Sequence, residues 1–472
     1  MTPSPATVAL ELALPAEDIA GLRRHLGRAR SFTLAWHDTG DHALCHAGLA
    51  ALCWREGRLE RWWREDLDPS LPPGAVAPRQ AEAPAPGELA GVTEAAHLRP
   101  VQFLTGRTRE GLAGDVALRL LEGQTDGGVR LVRLRLSGPV EEVTALGLSL
   151  AADGRLSVPL RPLSAEALAL AGLPVPARRL GAPVLPAGLA PGAAFAQAAG
   201  HLLGTLLHHA PAAEAGQTGE PVHQMRVALR RLRALATVFR DAVECPLLGT
   251  VRPAMKALAS ALGPARDWDV FLEGTGRRVQ AAFPAEAGVE ALVQAASVRR
   301  TEAYAALRTV LAGPALRCFA LQVAALVAGR PWEALAAAPV DDTAAFGAVV
   351  LERRLKRLRR QARGLESLPD EALHELRLKA KRLRYAAEVF APLFPAREAS
   401  RFLRRLAALQ ETLGHLNDGA VAAALMHALE AQGGAGHAGG LVRGFVAGRA
   451  GEVRQEIAGR WRRLRRAGRF WR

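Results

Sequence analysis

The chain has 472 residues, 49% of them hydrophobic and 23% charged, and carries a net charge of +15. That length calls for two or three globular units of about 100 to 200 residues each, and no uninterrupted apolar run reaches the about 18 residues a membrane span needs. Cys45, Cys53, Cys245 and Cys318 include no C-x-x-C pair, which argues against a disulfide framework and a cysteine zinc site; the first residues lack a basic-then-apolar signal, so the expected compartment is the cytoplasm.

In chain order, the period-two stretches "TVALELAL", "SFTLAWHDT" and "VRLVRLRLSG" predict strands within residues 1–182. The Pro/Ala/Gly-rich segment 68–91 between them predicts a mobile loop or insertion, and "PVLPAGLAPGAA" predicts a linker over 183–194. Beyond it, Ala, Leu and Arg recur with a 3.6-residue period, predicting an all-α part over 195–472. Charge divides along the same boundary. Residues 1–190 hold 20 Arg and 21 acidic side chains, whereas the other 282 residues hold 41 basic and 25 acidic ones. An excess confined to one region points to a polyanion such as nucleic acid, an anionic membrane or a phosphate polymer.

The helical part contains a repeat. "HQMRVALRRLR" begins at His223 and "HELRLKAKRLR" at His374, both spelling H-x-x-R-x-x-x-[RK]-R-L-R; "LGPARD" and "LGHLND" then place Gly263 and Gly414, and Asp267 and Asp418, at the same offset of 151. This predicts an internal duplication, with repeats over about 195–340 and 341–472, as two pseudo-symmetric four-helix bundles. On a helix, His223, Arg226, Arg230 and Arg233, and likewise His374, Arg377, Lys381 and Arg384, fall within an arc of roughly 80°. Arg231 and Arg382 point away from it. Such a stripe repels itself and calls for an anion. A solvated face, or carboxylates elsewhere in the bundle, would also answer that need for one helix. The repetition, the shortage of acids, the further stripes Arg353/Arg357/Arg360 and Arg401/Arg404/Arg405, and the preference for Arg over Lys favour phosphate.

These motifs resemble the CHAD family, the conserved histidine α-helical domain, over about residues 195–472. The resemblance implies two four-helix bundles around a basic cavity that binds long-chain inorganic polyphosphate, with polyphosphate-granule proteins as further partners and granules as a location within the cytoplasm. It carries His223, Arg226, Arg230, Arg231, His374, Arg377, Lys381 and Arg382 as binding residues. Lys256 is a weaker addition, since its equivalent in the second copy is Ala407. Residues 1–182 resemble, more faintly, the CYTH triphosphatase domain, an α+β fold built on a β-barrel or tunnel. "VALELAL" stands for its E-x-E-x-K strand with only Glu11 kept, and "VRLRL" puts Arg133 and Arg135 where carboxylates would hold a metal. Metal-dependent hydrolysis needs oxygen ligands, so a degenerate, catalytically silent domain is expected, in which Arg55, Arg99, Arg107, Arg109, Arg133 and Arg135 could still meet a phosphate.

The expected function is therefore non-enzymatic polyphosphate binding without cofactor, metal or membrane partner; a CYTH-type triphosphatase and a nucleic-acid binder are the alternatives. Single-strand binders interleave aromatics with their basic residues, and the repeat helices hold only Phe239, Tyr385 and Phe390. His201 and His208 sit i, i+7 without carboxylates nearby, which does not suit a metal. Asp267, Asp269 and Asp418 are expected to hold the basic helices in register through salt bridges. The C-terminal "GRWRRLRRAGRFWR" reads equally well as an anion-binding tail or as a helix end packing its aromatics.

Overall fold

The computed structural model describes residues 6–472 apart from 16, 19–21, 23–24, 84–96, 336–341, 431–435 and 449; for 81, 370, 415–423, 428, 430, 446–448 and 450–454 it describes backbone alone. Strand β1 (Thr7–Ala13), β2 (Arg30–Asp38), the one-turn helix α1 (Ala43–His46), β3 (Leu49–Glu56), β4 (Leu59–Asp66), β5 (Arg79–Ala83), β6 (Arg99–Ala113), β7 (Val116–Thr125) and β8 (Arg130–Pro139) come first. The strands form one sheet in the order β1-β8-β7-β6-β2-β3-β4-β5, every neighbour antiparallel. The register pairs Leu10 with Leu136 and Leu12 with Leu134 on one fully buried face, while Glu11 lies opposite Arg135 on the other. In β1 and β8, period-two alternation thus sends leucines to one side and Glu11, Arg133 and Arg135 to the other.

Part of the expected loop 68–91 is ordered: it contains β5, and its Gly74 carbonyl accepts from the Glu11 amide at 2.8 Å. Gly74 has φ +75°, and a Cβ there would meet Val158 Cγ1 at 2.9 Å, so the clasp requires glycine. Residues 84–91 of that loop lie outside the described residues.

Helices α2 (Val140–Asp153) and α3 (Leu163–Leu170) follow the sheet. Next come α4 (Pro191–Ala215), α5 (Glu220–Val238), the short α6 (Arg240–Val243), α7 (Pro246–Ala261), α8 (Gly263–Val270), a π-helical turn over Phe271–Gly276, α9 (Arg277–Ala282), α10 (Ala287–Ala312) and α11 (Pro314–Gly329). The last set is α12 (Thr343–Gln361), α13 (Asp370–Phe390), α14 (Ala396–Glu430), α15 (Gly436–Gly448) and α16 (Ala450–Arg465). Proline stands in the first turn of α4, α5, α7, α8 and α11, where its missing N–H costs nothing. Asp342 caps α12, accepting from the Ala344 and Ala345 amides at 2.9 and 3.1 Å. Helix α4 starts within the expected linker 183–194, and Leu185 in that segment is buried.

The duplication is visible in the helix order: α4, α5 and α7 begin at 191, 220 and 246, and α12, α13 and α14 at 343, 370 and 396. The sheet and the helices share a core. Leu10, Leu134 and Val143 pack in the same cluster as Phe195, Leu321 and Val323, so apolar contact runs from β1, β8 and α2 into α4 and α11.

Candidate functional site

Helix α5 buries Val222, Met225, Leu229, Leu232 and Ala236 along one face, and α13 buries Leu373, Leu376, Ala380, Leu383 and Ala387 along its own. Their basic residues therefore stand on the flanks of packed helices. The N-terminus of α5 is set by Gly219, where a Cβ would come within 2.7 Å of Asp269 Oδ2.

The two stripes meet. The Lys381 ammonium is pushed down to about 8, first by burial and then by Arg230, Arg377, Arg226 and Arg233 around it. Lys381 and Arg377 come from the second repeat and the other three from the first, so both copies contribute to one cationic cluster. Burial lowers the Arg226 guanidinium as well, with Arg230 and Arg266 adding to the effect and Asp267 opposing it. Asp267 is a weak counter-charge, 3.8 Å from Arg226 in a half-exposed pair, and burial raises its own carboxyl. Gly263 lies beneath the same arginine, 3.4 Å separating its Cβ position from Arg226 Nη1. The "LGPARD" motif thus builds the bed of Arg226. The Asp418 side chain in the second copy lies outside the described residues.

His223 is half-buried, and burial comes before Arg266, Arg230 and Arg226 in lowering its imidazole. Arg231 and Arg384 stand on the other flank, as the helical geometry predicts for Arg231. Glu388 is the largest charge acting on Arg231 and accepts from Arg384 Nε at 2.7 Å. Arg382 gives its carbonyl to Arg354 Nη1 at 3.1 Å. Arg354, which sequence reasoning passed over, is driven down to about 10 by burial and by Arg357 and Arg382. The expected stripe on α12 is thereby divided: Arg357 acts on Arg354 beside Arg382 of α13, while Arg353 pairs with Asp241 at 3.2 Å. Arg360, His374 and Lys256 are exposed. Arg266 was a second omission, readable only as part of the "LGPARD" turn.

Arg401, Arg404 and Arg405 line a different cleft, between α14 and α16, with Arg460 and Arg463 opposite. Asp269 does not pair with the basic helices as expected. It is buried and accepts from Arg300 Nε at 2.6 Å and the Tyr304 hydroxyl at 2.8 Å, tying α8 to α10. The C-terminal aromatics resolve toward packing: Trp461, Phe470 and Trp471 are buried, and Glu352 on α12 receives Arg469 and Trp471 Nε1 at 3.0 and 3.2 Å. His201 Nε2 sits 3.2 Å from the Gly181 carbonyl.

On the sheet, a cavity of about 70 Å³ is lined by Glu11, Glu65, Arg79, Arg119, Arg133 and Arg135 among others. Arg133 Nε and Arg135 Nη2 lie 3.6 and 3.9 Å from the Glu11 carboxylate, which also accepts from the Leu163 amide at 3.2 Å. Arg133 additionally pairs with Glu166. Glu65 accepts from Trp63 Nε1 at 2.8 Å and from the Ser164 hydroxyl. Burial raises both glutamates above the usual carboxylate range. Two such carboxyls among four guanidiniums do not suit a divalent cation. Elsewhere on the sheet, Arg55 is paired with Glu60 at 2.8 Å and Arg109 reaches the Gly27 carbonyl at 3.5 Å; Arg99 lies against Gly40.

Residues 197–427 match the family model described as the CHAD domain. They form a CHAD domain. The crystal structure of the CHAD domain from the plant Ricinus communis is similar to this chain at 28% identity and a TM-score of 0.55, covering 62% of this chain and 97% of that one. Two Mycobacterium tuberculosis proteins described as uncharacterized are 33% identical over 180 residues, 36% of this chain and 34% of theirs, so the match spans about a third of these relatives. A putative adenylyl cyclase from Hippeastrum, described as having a dominant triphosphatase activity, is also similar to this chain. That likeness is at 12% identity and a TM-score of 0.29, over 36% of this chain and 98% of that one. The CHAD domain thus carries the cationic cluster, and the sheet carries the self-paired cavity.

Proposed function

We propose that the CHAD domain binds long-chain inorganic polyphosphate in the groove between α5 and α13, and that the chain acts by binding rather than by hydrolysis. The supporting observation is the setting of Lys381, where cations from both repeats crowd one half-buried space. Holding them together without an anion is costly, because like charges repel and burial strips their water. A condensed phosphate offers each guanidinium paired oxygens, and its repeating charge suits a groove assembled from two copies of one motif. Polyphosphate granules and their proteins are the surroundings in which such a binder would work.

Nucleic acid fits less well. Tyr385, Phe239 and Phe390 are buried, and Arg230 lies 5.5 Å over the Tyr385 ring, leaving these faces closed to stacking bases. The direct experiment is titration of the full chain with long-chain polyphosphate, wild type against Arg226→Gln/Arg377→Gln. Charge-assisted hydrogen bonds are worth about 1.5–3 kcal/mol each, so affinity should drop at least about tenfold, and the salt dependence should become shallower. Equal affinity would refute the groove. Release of orthophosphate from tripolyphosphate with added Mg²⁺ would overturn the non-catalytic reading.

A further inference from the structure

The cleft between α14 and α16 encloses about 440 Å³ and is lined by Arg401, Arg404, Arg405, Arg460, Arg463 and Ala408. We propose that it is a second, separate anion site, taking a compact and multiply charged inorganic phosphate of the tripolyphosphate class. The proposal rests on the ligand chemistry of the reading above but uses none of the groove residues.

Five guanidiniums line one recess with little to balance them. Arg460 is paired with Glu456 at 2.7 Å. Arg405 Nη1 donates to the Arg463 carbonyl at 3.1 Å, which fixes its direction, and among the described residues no carboxylate is within ion-pair distance of it. Among the described residues no carboxylate lies within ion-pair distance of Arg401, Arg404 or Arg463. Arg401 stands i, i+3 and i, i+4 to Arg404 and Arg405, and Arg460 stands i, i+3 to Arg463, so neighbours on each helix repel.

The offset of 151 maps Arg401, Arg404 and Arg405 onto Thr250, Pro253 and Ala254 in α7, none of them charged. Helix α7 forms without a cation at any of the three, so these arginines are specific to the second copy. Among the described residues Ala408 is the one uncharged residue lining the cleft, and none of them offers an aromatic face to a base.

Isothermal titration with magnesium-free sodium tripolyphosphate tests this on the full chain, comparing wild type, Arg404→Gln/Arg463→Gln and Arg226→Gln/Arg377→Gln. Circular dichroism and the unliganded melting temperature verify that each variant folds. The expected result is two sites in the wild type, one of them weakened more than tenfold in Arg404→Gln/Arg463→Gln and retained in Arg226→Gln/Arg377→Gln. A cleft variant titrating like wild type would overturn the proposal, as would a single-stranded oligonucleotide displacing tripolyphosphate at equal phosphate concentration. If only the cleft variant loses a site, the groove reading fails while this one stands.

Discussion

Lys381 departs from the ordinary chemistry of a lysine. With its ammonium at about 8 in the free protein, it is largely charged at pH 7 and neutral above pH 9. A bound polyanion favours the charged form, so binding at pH 8 should take up a fraction of a proton, and polyphosphate affinity should fall as pH rises from 7 to 9. Titrations at pH 8 in two buffers of different ionisation enthalpy measure the uptake, and Lys381→Met should abolish it. The basic pattern around His223 and His374 was legible from spacing alone. The depression at Lys381 was not, because it depends on α5 and α13 facing each other. Gly219 makes a second case. Placing a Cβ 2.7 Å from the buried Asp269 should cost about 1–3 kcal/mol in Gly219→Ala, read as a lower urea midpoint.

At the scale of elements, α12 shows why a stripe drawn from sequence can miss. Its buried residues Val350, Leu351, Leu355 and Leu358 leave two flanks with different work. Arg354 and Arg357 stand with Arg382, while Glu352 and Arg359 meet the C-terminal segment. Helical spacing correctly identified a charged helix but gave no sign of which flank meets α13, since that is settled by the neighbouring helices. The C-terminal segment acts as a structural brace: Phe470 and Trp471 pack with Phe402, ring centroids 5.6 and 5.1 Å away. Trp471→Ala should therefore cost about 3–5 kcal/mol, measured by denaturant unfolding. A mobile tail would lose almost nothing.

For the whole molecule, the sheet and the CHAD domain should unfold as one. Leu10, Leu12, Leu134 and Leu136 share a buried cluster with Leu321, Val323 and Leu326, and separating the parts would expose both faces to water. Fluorescence from Trp36, Trp54, Trp62 and Trp63 in the sheet and helical ellipticity at 222 nm should thus report one coincident thermal transition; two resolved transitions would refute the shared core. The two-part organisation was readable from composition and charge, whereas this joint was hidden because apolar strand and helix faces look alike whether they cover a domain's own core or a neighbour.

The loops and α2 around the sheet lean on α4 and α11: Pro72 lies against Gly200, Arg178 against Gly204, and Arg317 donates to the Ala151 carbonyl at 3.4 Å. Those helices precede the second repeat, so the twin halves have unequal obligations. One is moored to a neighbour and must keep that contact through any change of sequence, while the outer flank of its sibling at α14 and α16 is released to acquire new chemistry.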